Sequence, residues 1–397
     1  MKLSNRCVMV NNKFEKKNFI YDRNGHIKYE INNEMFELIK DIHDNKKDYK
    51  CAILDYDKDI IDELVSLEIL TNNEEKYIFN IKQPSKLNSA RIFLEITDKC
   101  NLNCKHCYGG FASKNRNMIS LNDIDNIIDE AVELGIYEFD ITGGEPLLYH
   151  KLEDVLSKLY DSGMLVSIFT NLTLLTNHHL EIFNKYCVKK VITSIDSCYK
   201  NVHDEFRGCN GCFDKTMKNI EKLKKLNIEL SINTMIGNHN IKYIDEMIIF
   251  LKKLELPFVL DVITNEGRAM TLNENISTSA NIIKTIFSKY NNDINKEMNF
   301  KHCGIGNRFI YIKSDGNIYI CPSLIDDKYK IGNIKQKNLY EVWENMTKRF
   351  GNLSCSKKSN KCKKCNGGCR ARALKLHNNI MDVDNVYCTI VKGDVNV

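Results

Sequence analysis

The sequence predicts an α/β chain: a partial (β/α)6 barrel of parallel units, preceded by a small β-then-α unit and followed by a cysteine-rich domain. Three observations carry this expectation. Six short apolar runs recur at intervals of roughly 26 to 45 residues between positions 92 and 263, with amphipathic helical patterns between them. The first 80 residues hold a hairpin-like segment and then two helix-like stretches. Ten of the sixteen cysteines fall into two groups, Cys100 to Cys107 and Cys303 to Cys388.

The 397 residues, with 57 Lys+Arg against 52 Asp+Glu, a net charge of +5, 43% hydrophobic and 27% charged residues, match an ordinary globular chain of two or three domains. No stretch approaches the ~18 consecutive apolar residues of a membrane span, and the start, MKLSNRCVMVNNKFEKKNF, lacks a secretory apolar core, so a cytoplasmic chain without a membrane partner is expected. Cysteine at about 4% is below the ~8–10% of disulfide scaffolds, and in a reducing compartment such cysteines read as metal-binding or catalytic. Cys7, Cys51, Cys187, Cys198, Cys209 and Cys212, outside the two groups, default to small buried hydrophobes. The basic run KKSNKCKK has no aromatic interleaving, which argues against a nucleic-acid partner.

Element by element, residues 1–85 form the first unit. FIYDRNGHIKYEI is a hairpin with Asn24-Gly25 as its turn, and Asn33–His43 and Asp57–Leu67 are helices, with Met35, Phe36, Leu38 and Ile39, then Ile60, Ile61, Leu64 and Val65, as their apolar residues. KQPSKLNSA, with Pro84, reads as a linker. Residues 86–290 hold the barrel, with strands at 92–97, 137–142, 165–170, 191–196, 228–233 and 257–263. A helix at 120–134 starts at Ser120, which with Asp123 resembles a capping box, and stops at Gly135. Residues 291–397 form the cysteine-rich domain. In parallel β/α folds the functional loops gather at the C-terminal ends of the strands, so the chemistry belongs just after each strand.

After the first barrel strand comes TDKCNLNCKHCYGG, giving Cys100-x3-Cys104-x2-Cys107. Three thiolates this close can hold one metal centre and leave a fourth position open. A zinc site would favour C-x2-C pairs and would need His106 to complete it. The spacing, its place after strand one and Tyr108 directly behind the third cysteine together resemble the radical S-adenosylmethionine (SAM) superfamily. The resemblance implies a [4Fe–4S] cluster on Cys100, Cys104 and Cys107, with SAM on its open iron. One electron then cleaves SAM to methionine and a 5′-deoxyadenosyl radical.

Later strand ends extend the likeness. Thr142-Gly143-Gly144-Glu145-Pro146 matches the family's GGE motif, which implies that backbone and Glu145 receive the methionine amino group. Thr170-Asn171 and Ser194-Ile195-Asp196 stand where the family binds ribose or the methionine end, although polar strand-end residues also simply make turns. Arg207, in HDEFRG, resembles an arginine that pairs with the SAM carboxylate, and Asn265-Glu266-Gly267-Arg268-Ala269 resembles the family's GRA segment near the adenine.

In the last hundred residues Cys303, Gly316-x4-Cys321, Cys355-x6-Cys362-x2-Cys365-x3-Cys369 and Cys388, with the block GNIKQKNLYEVWENM around Trp343, resemble the SPASM extension. That extension houses auxiliary [4Fe–4S] clusters in radical SAM enzymes that modify peptides and proteins. Family order implies Cys303, Cys321 and Cys369 for a first auxiliary cluster, with no evident fourth cysteine, and Cys355, Cys362, Cys365 and Cys388 for a second. The gaps of six, two and three depart from the family's usual C-x2-C-x5-C-x3-C, so one or two auxiliary clusters are expected. A pair of zinc ribbons is the alternative, since Cys362-x2-Cys365 is a plausible zinc half-site.

The first unit is similar to the winged-helix peptide-recognition domain of enzymes that mature ribosomally made peptides, in which a leader peptide adds a strand to a sheet edge. A structural cap on the barrel's open side is the alternative. The expected activity is hydrogen abstraction from a leader-bearing precursor peptide, with a sulfur-to-carbon thioether crosslink favoured. Carbon–carbon crosslinking, epimerisation, decarboxylation, sulfatase-type residue oxidation and tetrapyrrole side-chain modification remain open, and a non-enzymatic zinc-binding module is the alternative from another class. An epimerase would need a hydrogen donor, for which Cys209 and Cys212 in RGCNGC are candidates. A flavodoxin- or ferredoxin-type protein would supply electrons.

Overall fold

The computed structural model describes residues 1–12, 17–25, 27–44, 58–72, 81–85, 87, 90–111, 117–226, 228–264, 266–271, 280–290, 303–356 and 367–392. The expected strands Arg91–Thr97 (β7), Glu138–Gly143 (β8), Leu165–Phe169 (β9), Lys190–Ser194 (β10), Glu229–Ile236 (β11) and Phe258–Val262 (β12) pair in parallel, in chain order. Helices Leu121–Leu134, Leu152–Asp161, Asn177–Lys185, Lys200–Arg207, Cys212–Leu223 and Ile244–Lys253 connect them. The first shows why the local reading works. Ser120 accepts the Asp123 N–H, Gly135 closes the helix at φ 72°, and Ile124, Ile127, Ile128 and Ala131 are buried against the sheet.

Before the barrel come β1 (Lys2–Leu3), β2 (Cys7–Asn12), β3 (Lys17–Asp22), β4 (Ile27–Ile31), two helices (Asn33–His43 and Lys58–Ser66), β5 (Leu70–Thr71) and β6 (Ile81–Ser85). The Asn24-Gly25 turn joins antiparallel β3 and β4 as expected. The expected linker does not hold over its first part: β6, with Pro84, lies on the edge of a sheet ordered β4-β3-β2-β6 and runs parallel to β2. An edge position is where a strand tolerates proline, because no ladder hydrogen bond is demanded on its outer side.

Strand β2 is buried on both faces. Cys7 and Met9 pack with Ile20, Phe36, Ile39 and Ile61 in the unit's own core. Val8 and Val10, with Tyr21 of β3, point the other way into the core of the barrel. Arg23, 1% exposed, lies 4.0 Å over the Tyr160 ring and donates to the Tyr160 carbonyl at 2.8 Å. Tyr160 ends the helix that precedes β9, so the unit is fixed to the N-terminal ends of the barrel strands, away from the loops that follow them.

The cysteine-rich segment is not separate from the barrel. Strand β13 (Phe309–Ile312) pairs in parallel with the free edge of β7, and β14 (Asn317–Tyr319) and β15 (Lys330–Asn333) continue antiparallel, making one nine-stranded sheet. Glu95 of β7, fully buried, joins the two parts: it accepts from the Tyr311 hydroxyl, the Ser314 hydroxyl (2.7 Å) and the Ser314 N–H (3.2 Å). Trp343, on the helix Leu339–Phe350, is 5% exposed and belongs to the same core. No helix among the described residues is long and apolar enough to cross a membrane.

Candidate functional site

The loop after β7 brings Cys100, Cys104 and Cys107 to one cavity of about 200 Å³. Tyr108, Gly143, Gly144, Asn171, Ser194 and Arg207 line it too, so the ends of β8, β9 and β10 converge on the three thiols. Burial pushes the Cys100 thiol up to about 12 and also raises Cys104, where the nearby Arg207 guanidinium, 3.8 Å from Sγ, works in the opposite direction. Both are protonated when free and give up their protons on binding a metal.

Three other loops grip the cysteine loop. Gly144 donates to the Thr97 carbonyl at 2.8 Å and Glu145 N–H to the Lys99 carbonyl at 2.9 Å. A Cβ on Gly143 would stand 2.3 Å from the Thr97 oxygen and one on Gly144 2.3 Å from the Lys99 oxygen, so the paired glycines are needed for backbone contact as much as for a ligand. Asn103 and Lys105 donate to the carbonyls of Arg207 and Phe206. Arg268 donates to the Cys104 carbonyl at 2.6 Å and to the Phe111 carbonyl, while its own N–H bonds the Cys107 carbonyl at 2.9 Å. The GRA segment, which resemblance put near an adenine, thus clamps the cysteine loop; Asn265 lies outside the described residues.

Two expected cofactor residues stand behind the cavity wall. Glu145, 0% exposed, accepts from Thr170 Oγ1 (2.6 Å), Asn171 N–H (2.8 Å) and Leu147 N–H (3.0 Å). Burial outweighs these bonds and pushes its carboxyl up to about 7. Its visible work is to hold the β9 loop, not to face the cavity. Asp196, also 0% exposed, accepts from Arg207 Nε at 2.5 Å and from the Met235 N–H at 3.0 Å. Burial alone would raise its carboxyl, but the Arg207 guanidinium wins and holds it well below the usual range. Asp196 therefore aims Arg207, and Arg207 is the one that reaches the cavity.

Cys209 and Cys212 do not line that cavity. Cys212 is fully buried, donates to Asp204 Oδ1 at 3.2 Å, and has its thiol raised by burial; both cysteines pack in the apolar cluster under the cysteine loop. Cys209 is half-buried and Cys212 is sealed from solvent. Sequence reasoning missed a stack of three rings: His106 on Phe206 with centroids 4.7 Å apart, and Phe206 on His239 at 3.5 Å. Burial pushes His106 down to about 3, a neutral ring. His239 had no signal in the sequence, because its partners are far along the chain.

The second cysteine group assembles across the sheet extension. Cys303, Cys321 and Cys369 lie within electrostatic reach of one another, and burial raises both the Cys321 and Cys369 thiols. Cys369 caps the helix Arg370–His377 through its sulfur, and its N–H donates to Asp384 at 2.8 Å. Cys355 and Cys388 are described, whereas Cys362 and Cys365, like Cys51, lie outside the described residues. Three thiols on one cavity, a guanidinium beside one of them and a glycine cradle fit a thiolate-held cluster with an open position.

The chain matches the Radical SAM superfamily over residues 94–251 and the SPASM iron–sulfur cluster-binding domain over residues 303–366. It is 27% identical over 339 residues to the AdoMet-dependent heme synthase of Methanosarcina barkeri, covering 75% of this chain and 96% of that one. It is 25% identical over 305 residues to the antilisterial bacteriocin subtilosin biosynthesis protein AlbA of Bacillus subtilis, covering 70% and 67%. Its fold is similar to that of Streptococcus suis SuiB bound to precursor peptide SuiA, with a TM-score of 0.66 at 16% identity, covering 96% and 98%. The chain is a radical SAM enzyme with a C-terminal SPASM domain: the radical SAM domain, residues 94–251, binds SAM and a [4Fe–4S] cluster, and the SPASM domain, residues 303–366, binds auxiliary iron–sulfur clusters.

Proposed function

We propose that this enzyme abstracts hydrogen from a ribosomally made, leader-bearing precursor peptide and installs a crosslink, with a thioether as the favoured bond. The observation that carries the peptide reading is the N-terminal sheet. Strand β4 is its outermost strand, no described strand pairs with its outer side, and Ile27 on it is 47% exposed. An extended leader laid along that edge gains main-chain hydrogen bonds and a side-chain contact at Ile27.

Within the barrel, Cys100, Cys104 and Cys107 would hold the SAM-binding cluster, while Tyr108, Gly143, Gly144, Asn171, Ser194 and Arg207 would shape the SAM site. Bound there, the cluster would supply the electron for reductive cleavage of SAM, and with it the radical that would take the peptide hydrogen. Glu145 fixes the Asn171 segment, and Asp196 fixes Arg207 so that its guanidinium offsets thiolate charge at Cys104. Joining sulfur to carbon releases the C–H hydrogen with the deoxyadenosyl group, the thiol proton to solvent and one electron to an acceptor. The thiols of Cys303, Cys321 and Cys369, before β13, after β14 and at the start of the helix Arg370–His377, would hold that acceptor.

Co-expression with a leader-bearing peptide encoded beside this protein tests the reading by mass spectrometry. A loss of two hydrogens per crosslink is expected, and an unmodified peptide in the presence of SAM cleavage would overturn it. Ile27→Asp, at an exposed position, is expected to weaken leader binding about tenfold, equivalent to ~1.4 kcal/mol, in fluorescence anisotropy. The heme synthase relative favours one second reading, a tetrapyrrole side chain as substrate. Decarboxylation of an added iron tetrapyrrole, with no dependence on Ile27, would select it.

A further inference from the structure

Glu266 follows β12 and stands where the barrel meets the three gathered thiols of the second group. Its Oε1 accepts from the Ser323 hydroxyl at 2.9 Å, and the Ser323 N–H donates to Cys321 Sγ at 3.4 Å. A single residue therefore holds the carboxylate and the thiol side by side. The other carboxylate oxygen, Oε2, is sealed from solvent and has no hydrogen-bond partner among the described residues. Two cations stand near it, Lys375 and Arg372, and neither hydrogen-bonds Oε2; Arg372 instead has its Nε 3.1 Å from an Asp384 oxygen and its NH1 3.9 Å from Asp261.

A buried carboxylate oxygen without a donor is costly to keep, and buried charge is retained where it is paired or coordinates a metal. Cys303, Cys321 and Cys369 offer three ligands to a cluster that takes four. We propose that Glu266 Oε2 supplies the fourth ligand, an oxygen, to the auxiliary cluster held by Cys303, Cys321 and Cys369. Ser323 Oγ then plays the part of an outer-shell donor that orients a ligating carboxylate. With its fourth position filled by the protein, this auxiliary centre serves as an electron acceptor and not as a binding point for the peptide's thiol. The assignment rests on those three thiols holding a cluster, and is independent of which peptide is modified.

The test uses the full-length, cluster-reconstituted protein without SAM, grown with glutamate isotopically labelled at its side-chain carboxyl carbon. Electron-nuclear double resonance of the reduced auxiliary cluster is expected to show hyperfine coupling to that carbon. The coupling is expected to disappear in Glu266→Gln and, together with the cluster signal itself, in Cys321→Ala. An auxiliary cluster signal without carbon coupling in the unsubstituted protein, or coupling that survives Glu266→Gln, overturns the assignment, and the first of these needs no variant to fold. Absence of any signal lost in Cys321→Ala overturns the underlying cluster reading as well, which separates the two failures.

Discussion

The two cysteine groups gather their thiols by opposite routes. Cys100, Cys104 and Cys107 sit on one loop, and the rest of the barrel grips that loop by its backbone: the paired glycines after β8, residues 206–208 and Arg268. Cys303, Cys321 and Cys369 are 18 and 48 positions apart and meet only because β13 joins the free edge of β7 and the helix Arg370–His377 returns to it. A local site keeps its ligands whenever its loop forms. A dispersed site depends on sheet pairing, and its ligands need not all be cysteines.

Four experiments break or sharpen that contrast. The largest effect is expected from Cys104→Ala, which should reduce 5′-deoxyadenosine production under dithionite to background while leaving auxiliary cluster signals in electron paramagnetic resonance. Retained production would refute the assignment. Cys321→Ala is expected to do the reverse, sparing SAM cleavage uncoupled from product while removing one auxiliary cluster from the iron and sulfide count. Loss of both activities together would mean that the two sites are not independent.

Next comes Gly267→Ala. Gly267 has φ 54°, and a Cβ there would lie 2.2 Å from the Tyr108 oxygen and 2.3 Å from the Cys107 oxygen. The clamp on the cysteine loop must shift, and a loss of about 1–3 kcal/mol in thermal stability with weakened iron retention at the first site is expected. An unchanged melting temperature and iron content would show that the clamp is dispensable.

The smallest effect concerns Glu145. Its folded carboxyl, raised by burial to about 7 from an ordinary 4.5, binds a proton that the unfolded chain has already released between those values. Stability from this group is therefore full below about pH 4.5 and lost as the pH rises to about 7. Glu145→Gln should flatten that part of the denaturation profile, whereas an identical slope would place the proton elsewhere. The auxiliary site should be indifferent to this substitution, because the groups that Glu145 holds, Leu147, Thr170 and Asn171, are none of its own.

Removal of residues 1–85 is not a clean test of peptide recognition. Val8, Val10 and Tyr21 complete the barrel core, and each such side chain is worth about 1.5–3 kcal/mol of burial. The truncated barrel would expose that face, which is why the exposed Ile27 is the better probe.

The amino-acid order by itself determined the features that short-range physics controls. The alternation of apolar runs and amphipathic stripes set the six parallel units, Ser120 and Gly135 set the ends of one helix, and the three-two spacing of Cys100, Cys104 and Cys107 set three thiols on one cavity. Only the tertiary structure decided the rest. Glu145 and Asp196 lie behind the cavity and not on it, Arg268 clamps the cysteine loop, and β6 occupies an edge read as linker. β13 extends the barrel sheet, and Glu266 comes to rest beside Cys321. Each of these depends on hydrogen bonds and packing between residues far apart in the chain. Periodicity and spacing report a residue's immediate neighbours, whereas a buried carboxylate's partner is chosen by the fold.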